Sequence, residues 1–159
     1  MQASHGRAQA WAWALALIGV VVALDQIAKQ IALSSIDRAS PIELPLGFQL
    51  SNVRNKGIAF GLFAGGKAAL LALTLGAIAL LLVYFTFNSA RPGLWAAVGL
   101  VTGGALGNLA DRVRAGAVTD FIDPPLWPAF NIADVAIVAG VALLVLVLMV
   151  PVRKHEGAP

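Results

Sequence analysis

Apolar and polar positions alternate in long blocks along this chain, and the blocks predict helices that cross a membrane. The first apolar segment runs from about residue 9 to 33, and Asp25, Gln26, Lys29 and Gln30 break it near its far end. It is too long and ends too polar for a cleaved signal peptide, so it reads as a retained helix. Residues 67–87, with the run "AALLALTLGAIALLLVYFTF", form a second helix long enough to cross a hydrocarbon core of about 30 Å. The short turn "NSARPG" then forces a third helix, about 94–110, to return beside the second. Its "GLVTGGALGN" is rich in small residues, which let helix backbones approach closely in lipid. A fourth helix, about 131–150, is closed by Pro151 and a basic tail, 151–159.

Two segments interrupt the pattern. Residues 34–66 carry Pro41, Pro45, Gly47, Gly57, Gly61, Gly65 and Gly66 among short apolar runs. "IELPLGFQLSNV" has the stretches and turn residues of short strands, and "AFGLFAGG" suits an interfacial element. Residues 111–130 read as a second polar loop, broken by Pro124, Pro125 and Pro128. The expectation is one membrane domain over residues 1–159: mainly α, four transmembrane helices, with a small extramembrane cap of strands.

Composition sharpens this reading. Charged residues make up 12% of the chain and hydrophobic residues 59%, against about 25% charged in a typical soluble domain. With no cysteine, disulfides, thiolate metal sites and thiol nucleophiles are excluded. The two histidines, His5 and His155, lie in the tails, which argues against a histidine metal site or a Ser-His-Asp triad, so no metal or cofactor is expected. The formal charge is only +3 and the basic residues are scattered, which gives no footprint for nucleic acid. Arg7, Arg91, Arg153 and Lys154 fall on one side of the predicted bundle, and Arg38, Arg54, Lys56, Lys67, Arg112 and Arg114 on the other. The first group occupies the shorter segments and leans only slightly towards cytoplasmic termini.

Carboxylates are left as the acid and base groups. Asp25, Asp37, Glu43, Asp111, Asp120, Asp123 and Asp134 all fall at or beyond one membrane face, with Glu156 alone opposite. Carboxylates at such depths are expensive enough to be site candidates. Any one of them could be an interfacial charge paired with Lys29, Arg112 or Arg114. Asp25 and Lys29, at i, i+4 spacing, suit such a structural pair, as do Asp111 and Arg112. Asn55 before Gly57 suits a turn. Asn108 and Asp111 share a helix face, as do Asn131 and Asp134. The sharper hypothesis pairs Asp120 with Asp134: two neighbouring carboxylates share one proton, so one can activate a water while the other protonates a carbonyl. Asp134 lies near a helix N-terminus, where negative charge is favoured, and is assigned the base, with Asp120 the acid.

Five segments in order, "LDQIAK", "NVRNKGIAFG", "GGALGNLADR", "VTDFID" and "FNIADVAI", resemble the lipoprotein signal peptidases, or signal peptidase II. The resemblance implies a bacterial inner-membrane aspartyl endopeptidase with four transmembrane helices, cytoplasmic termini, a β-cradle and a periplasmic interfacial helix. It implies a prolipoprotein substrate cut just before a cysteine that carries diacylglycerol, with the active site near the periplasmic face, and sensitivity to globomycin-type inhibitors. The family's catalytic aspartates fall on Asp120 and Asp134, and its supporting positions on Asp25, Lys29, Asn55, Asn108, Asp111, Arg112 and Asn131. Partners would be the lipidated precursor and membrane lipid, with the enzyme a monomer. The lipid would lie in an apolar groove, with Gly103, Gly104 and Gly107 permitting close approach. The runner-up is a small proton- or cation-coupled transporter, and a noncatalytic scaffold is a third reading. One-sided carboxylates, no midplane charge and no inverted repeat count against the transporter, and a scaffold leaves the two aspartates unexplained.

Overall fold

A computed structural model describes residues 2–57 and 66–150. The suggested interfacial element "AFGLFAGG" falls almost entirely outside the described residues, as does the tail. Among the described residues, four α-helices and three short strands follow one another in the order α1 (Gln2–Ser35), β1 (Ile42–Glu43), β2 (Gln49–Asn55), α2 (Gly66–Asn88), α3 (Leu94–Ala115), β3 (Val118–Asp123) and α4 (Ile132–Met149). The strands form one antiparallel sheet in the order β1-β2-β3.

α1, α2 and α4 are each long and apolar enough to cross a membrane. Large apolar side chains such as Trp13, Leu24, Ile27, Leu80, Phe87, Val138 and Leu146 stand exposed around them, a surface that water does not tolerate and hydrocarbon does. α3 is the exception. It carries Thr102, Asn108 and Asp111 among its buried residues, because α1, α2 and α4 all pack against it and its neighbours are protein. The glycines of this helix act there. A β-carbon on Gly103 would meet Val21 and Ile18 of α1, and one on Gly107 would lie 2.6 Å from an Asp25 carboxylate oxygen. Neighbouring helices fill the space at these positions, which is the close approach expected of small residues in this helix.

Packing divides the bundle into two ends. At one, Ala10, Ala14, Phe85, Leu94, Val98 and Val147 form an apolar core, with Trp11 tilted against Phe85 at 4.7 Å between ring centroids. Arg91, in the α2–α3 turn, closes this end. Its Nε and Nη2 donate to the Val147 carbonyl at 3.0 and 2.6 Å, and Nη2 also reaches the carbonyls of Leu148 and Val150 at 3.0 and 2.7 Å. The last carbonyls of α4 lack partners within the helix, and a cation there also answers the helix dipole. Arg91→Ala is expected to lower stability by about 1–3 kcal/mol, read as a lower melting temperature in detergent with activity of the folded fraction retained.

Two boundaries differ from the sequence-based expectation. α3 continues past residue 110 to Ala115, where Gly116 at φ 72° ends it and its N–H bonds the Arg112 carbonyl at 3.1 Å. Residues 118–123, read above as loop, are strand β3. Its partner is β2, more than sixty residues earlier, with Val53 opposite Asp120 and Asn55 opposite Val118.

Candidate active site

The second end of the bundle has a polar core. α1 and α3 finish there, α4 begins there, and the sheet lies across them. Asp25, Lys29, Asn108, Asp111, Thr119, Asp120 and Asn131 are all buried. Burying so many polar groups is tolerable only when they satisfy one another, and they do so as one connected network.

Asn131 organises it. As N-cap of α4, its side-chain oxygen accepts from the Asp134 backbone N–H at 3.0 Å, and the Asp134 carboxylate accepts from the Asn131 backbone N–H at 3.2 Å. This reciprocal capping box satisfies helix donors that otherwise lack partners. The Asn131 amide nitrogen is then free to turn towards the sheet, where it donates to Asp120 Oδ1 at 2.6 Å. One asparagine therefore contacts both carboxylates, Asp134 through the cap and Asp120 through its amide.

Each carboxylate has a further donor. Asn55, at the end of β2, donates to Asp120 Oδ2 at 2.9 Å, while its own oxygen accepts from the Gly57 N–H at 2.8 Å. Asn55 thus makes the turn its sequence suggests and reaches the aspartate as well. Asn108 of α3 donates to Asp134 Oδ1 at 2.8 Å. Burial holds the Asp120 carboxyl above the ordinary carboxylate range; the Asn55 and Asn131 hydrogen bonds oppose that rise, nearby Asp134 adds to it, and Lys29 opposes it.

Beneath the pair lies a buried charge cluster. Lys29 Nζ lies 2.8 Å from Asp25 Oδ2 and 3.2 Å from Asp111 Oδ2, and donates to Asn108 Oδ1 at 3.0 Å. Asp25 Oδ1 accepts from the Ala133 N–H at 2.9 Å, which satisfies another orphan donor of α4. Asp111 Oδ2 accepts from the Thr119 N–H at 3.0 Å and so anchors β3 to α3. The structural Asp25–Lys29 pair is present, but Asp111 pairs with Lys29 and not with Arg112. Adjacent residues on a helix do not face each other, which separates Asp111 from Arg112. Arg112 instead carries a buried Nε with no hydrogen-bond partner among the described residues, in the field of Asp134, Asp120 and Asp111.

All nine residues singled out from the sequence converge at this end. Sequence reasoning passed over Gln26, whose amide nitrogen reaches Asp25, Asp111 and the Gly107 carbonyl at 3.2, 3.0 and 3.2 Å. Its position beside Asp25 in a polar break of an apolar helix was the available signal. It passed over Thr119 too, which carries no such mark. Among the described residues no group of three or more His, Cys, Asp or Glu side chains is placed to hold a metal ion.

The family profile for signal peptidase (SPase) II matches residues 17–150. The chain belongs to the signal peptidase II family. It is an aspartic-type membrane peptidase. It is similar to the lipoprotein signal peptidase of Halothermothrix orenii, 38% identical over 81% of this chain and 90% of that one. The lipoprotein signal peptidase of Pelotomaculum thermopropionicum is 43% identical over 84% of this chain and 89% of its own. A bacterial membrane enzyme solved by the in meso method at 2.3 Å resolution superposes with a TM-score of 0.76 at 31% identity, covering 86% of this chain and 87% of the other.

Proposed function

We propose that Asp120 and Asp134 are the catalytic pair of this peptidase, and that it cuts diacylglyceryl-modified prolipoproteins just before the lipidated cysteine. The observation that carries this reading is Asn131, which holds both carboxylates in one network at the mouth of the bundle. A buried carboxyl held above its usual range suits the member that keeps a proton, so Asp120 is the acid. Asp134, capping α4, is the base. Asp134 takes a proton from water as the water oxygen attacks the scissile carbonyl, and Asp120 gives its proton to the carbonyl oxygen. In the collapse, the C–N bond breaks and the departing amine takes the proton from Asp134. Asp120 regains a proton from a hydroxyl of the tetrahedral intermediate, leaving both aspartates as they began and a free carboxylic acid on the signal peptide, which ionises to water.

Asn55 and Asn108 aim the pair, Asp25, Lys29 and Asp111 hold the helices beneath it, and Arg112 supports it at the edge. The protein is a monomer of one domain, with all four helices crossing the bacterial inner membrane. α3 needs fewer lipid-facing apolar residues because protein surrounds it. The termini are cytoplasmic, the site lies near the periplasmic face, and an interfacial helix follows β2. Placing the pair where the acidic residues gather gives it both water and acyl chains, as a lipid-bearing substrate requires. Globomycin-type compounds inhibit it.

Purified enzyme offered one precursor with and without its diacylglycerol tests the substrate assignment. Cleavage of the lipidated form alone, leaving the modified cysteine as the new N-terminus, is expected. Equal cleavage of the unlipidated form would overturn the assignment.

A further inference from the structure

A polar hollow of about 200 Å³ opens beside the network, lined by Lys29 and Gln30 of α1, Arg54 of β2, and Asp111 and Arg114 of α3. Neither Asp120, Asp134 nor Asn131 reaches it. Its charge is unbalanced. Lys29 is answered by Asp25 and Asp111. Asp111, the one acid on the wall, is already occupied by Lys29, Gln26 and the Thr119 N–H. Arg54 and Arg114 make no ion pair among the described residues, and each has one side-chain hydrogen bond to a neutral acceptor: Thr119 Oγ1 at 3.3 Å and Gln26 Oε1 at 2.9 Å. A guanidinium has five N–H donors in a fork that matches phosphate oxygens, so most of this donor capacity is uncommitted.

The surroundings indicate what fills the hollow. It lies at the last turns of α1 and α3, where exposed apolar side chains give way to polar ones. Leu33 lines the hollow itself, and Ile27, Ile31 and Val113, next in sequence to its lining residues Gln26, Gln30 and Arg114, are strongly exposed on the same turns of α1 and α3. A ligand with an anionic head in the hollow and apolar tails along these residues fits both surfaces.

We propose that Arg54 and Arg114 form a binding site for the phosphate of an anionic phospholipid headgroup, separate from the carboxylate pair and independent of its catalytic assignment. The hollow has room for a phosphate group, being several times the roughly 30 Å³ of one water. A headgroup with its own ammonium would set a third cation against the two arginines and bind less well.

Melting of the full-length protein in detergent, titrated separately with phosphatidylglycerol, phosphatidylcholine and inorganic phosphate, tests the site. Phosphatidylglycerol is expected to raise the melting temperature saturably and phosphatidylcholine much less. Arg54→Gln and Arg114→Gln should each weaken the phosphatidylglycerol response about fivefold. Arg38→Gln, an exposed arginine outside the hollow, should not. An equal loss in Arg38→Gln, or an unchanged response in the double glutamine variant, would overturn the site in favour of diffuse surface charge. Saturation by inorganic phosphate with the same arginine dependence would overturn the lipid as occupant and assign the free anion. Should the glutamine variants not fold, native mass spectrometry of the wild type decides: preferential retention of phosphatidylglycerol supports the site, and equal retention of both lipids rejects it.

Discussion

Asp120→Asn and Asp134→Asn are each expected to lower kcat/KM on a diacylglyceryl-modified precursor by about a thousandfold or more, while the protein stays folded in the membrane. An amide has nearly the shape of a carboxyl but neither takes up nor gives the proton the reaction moves, and loss of one acid–base group costs up to about 10⁴-fold. The fold should tolerate the changes. Asp120 accepts from Asn55, an exposed residue whose amide can turn to meet a new donor. Asp134 is only half buried and has solvent for a displaced group. Cleavage assays beside thermal melts of the same preparations separate lost chemistry from lost structure. Normal cleavage by either variant would remove that residue from the reaction.

Asp25→Asn should have the opposite profile, with a large loss of stability and a smaller loss of activity per folded molecule. Asp25 is completely buried, balances the nearly buried Lys29, and holds the Ala133 N–H. Removing one partner of a buried pair costs about 3–5 kcal/mol because the remaining charge is left uncompensated. Lys29 keeps Asp111 at 3.2 Å, which points to the lower end of that range. For a chain of this length the drop in melting temperature is on the order of 10 °C. A variant with wild-type stability and no activity would place Asp25 in the chemistry.

Much of this molecule is legible in its sequence, for reasons that differ by element. α2 and α4 announce themselves because lipid requires apolar side chains on their outer faces. α3 does so through "GLVTGGALGN", since a helix surrounded by helices needs small residues more than apolar ones. β3 is not legible in the same way. "VTDFID" becomes a strand because β2 lies beside it, and that pairing spans more than sixty residues that no local pattern connects. The same distance hides the contact between Asn55 and Asp120. The link between Asn131 and Asp134 is easier to foresee, because their three-residue spacing places both on one face at the start of α4. What no spacing could indicate is that the Asn131 amide turns back onto the strand. Arg91 gives no hint either, since a basic residue in a short turn resembles any other topological signal until the end of α4 is seen against it.

In the proposed mechanism Asp120 must hold a proton for the enzyme to work. The pH dependence of kcat/KM in wild type and Asn55→Leu tests it most directly. Wild type should give a bell, lost on the acid side as the base is protonated and on the alkaline side as Asp120 ionises, with limits that belong to the coupled pair. The Asn55 hydrogen bond favours ionised Asp120, so replacing it with leucine, which offers no donor, should hold the proton more tightly. The alkaline limit is therefore predicted to move to higher pH in the variant. An alkaline limit that stays in place, or that moves to lower pH, would contradict the assignment of Asp120 as the acid.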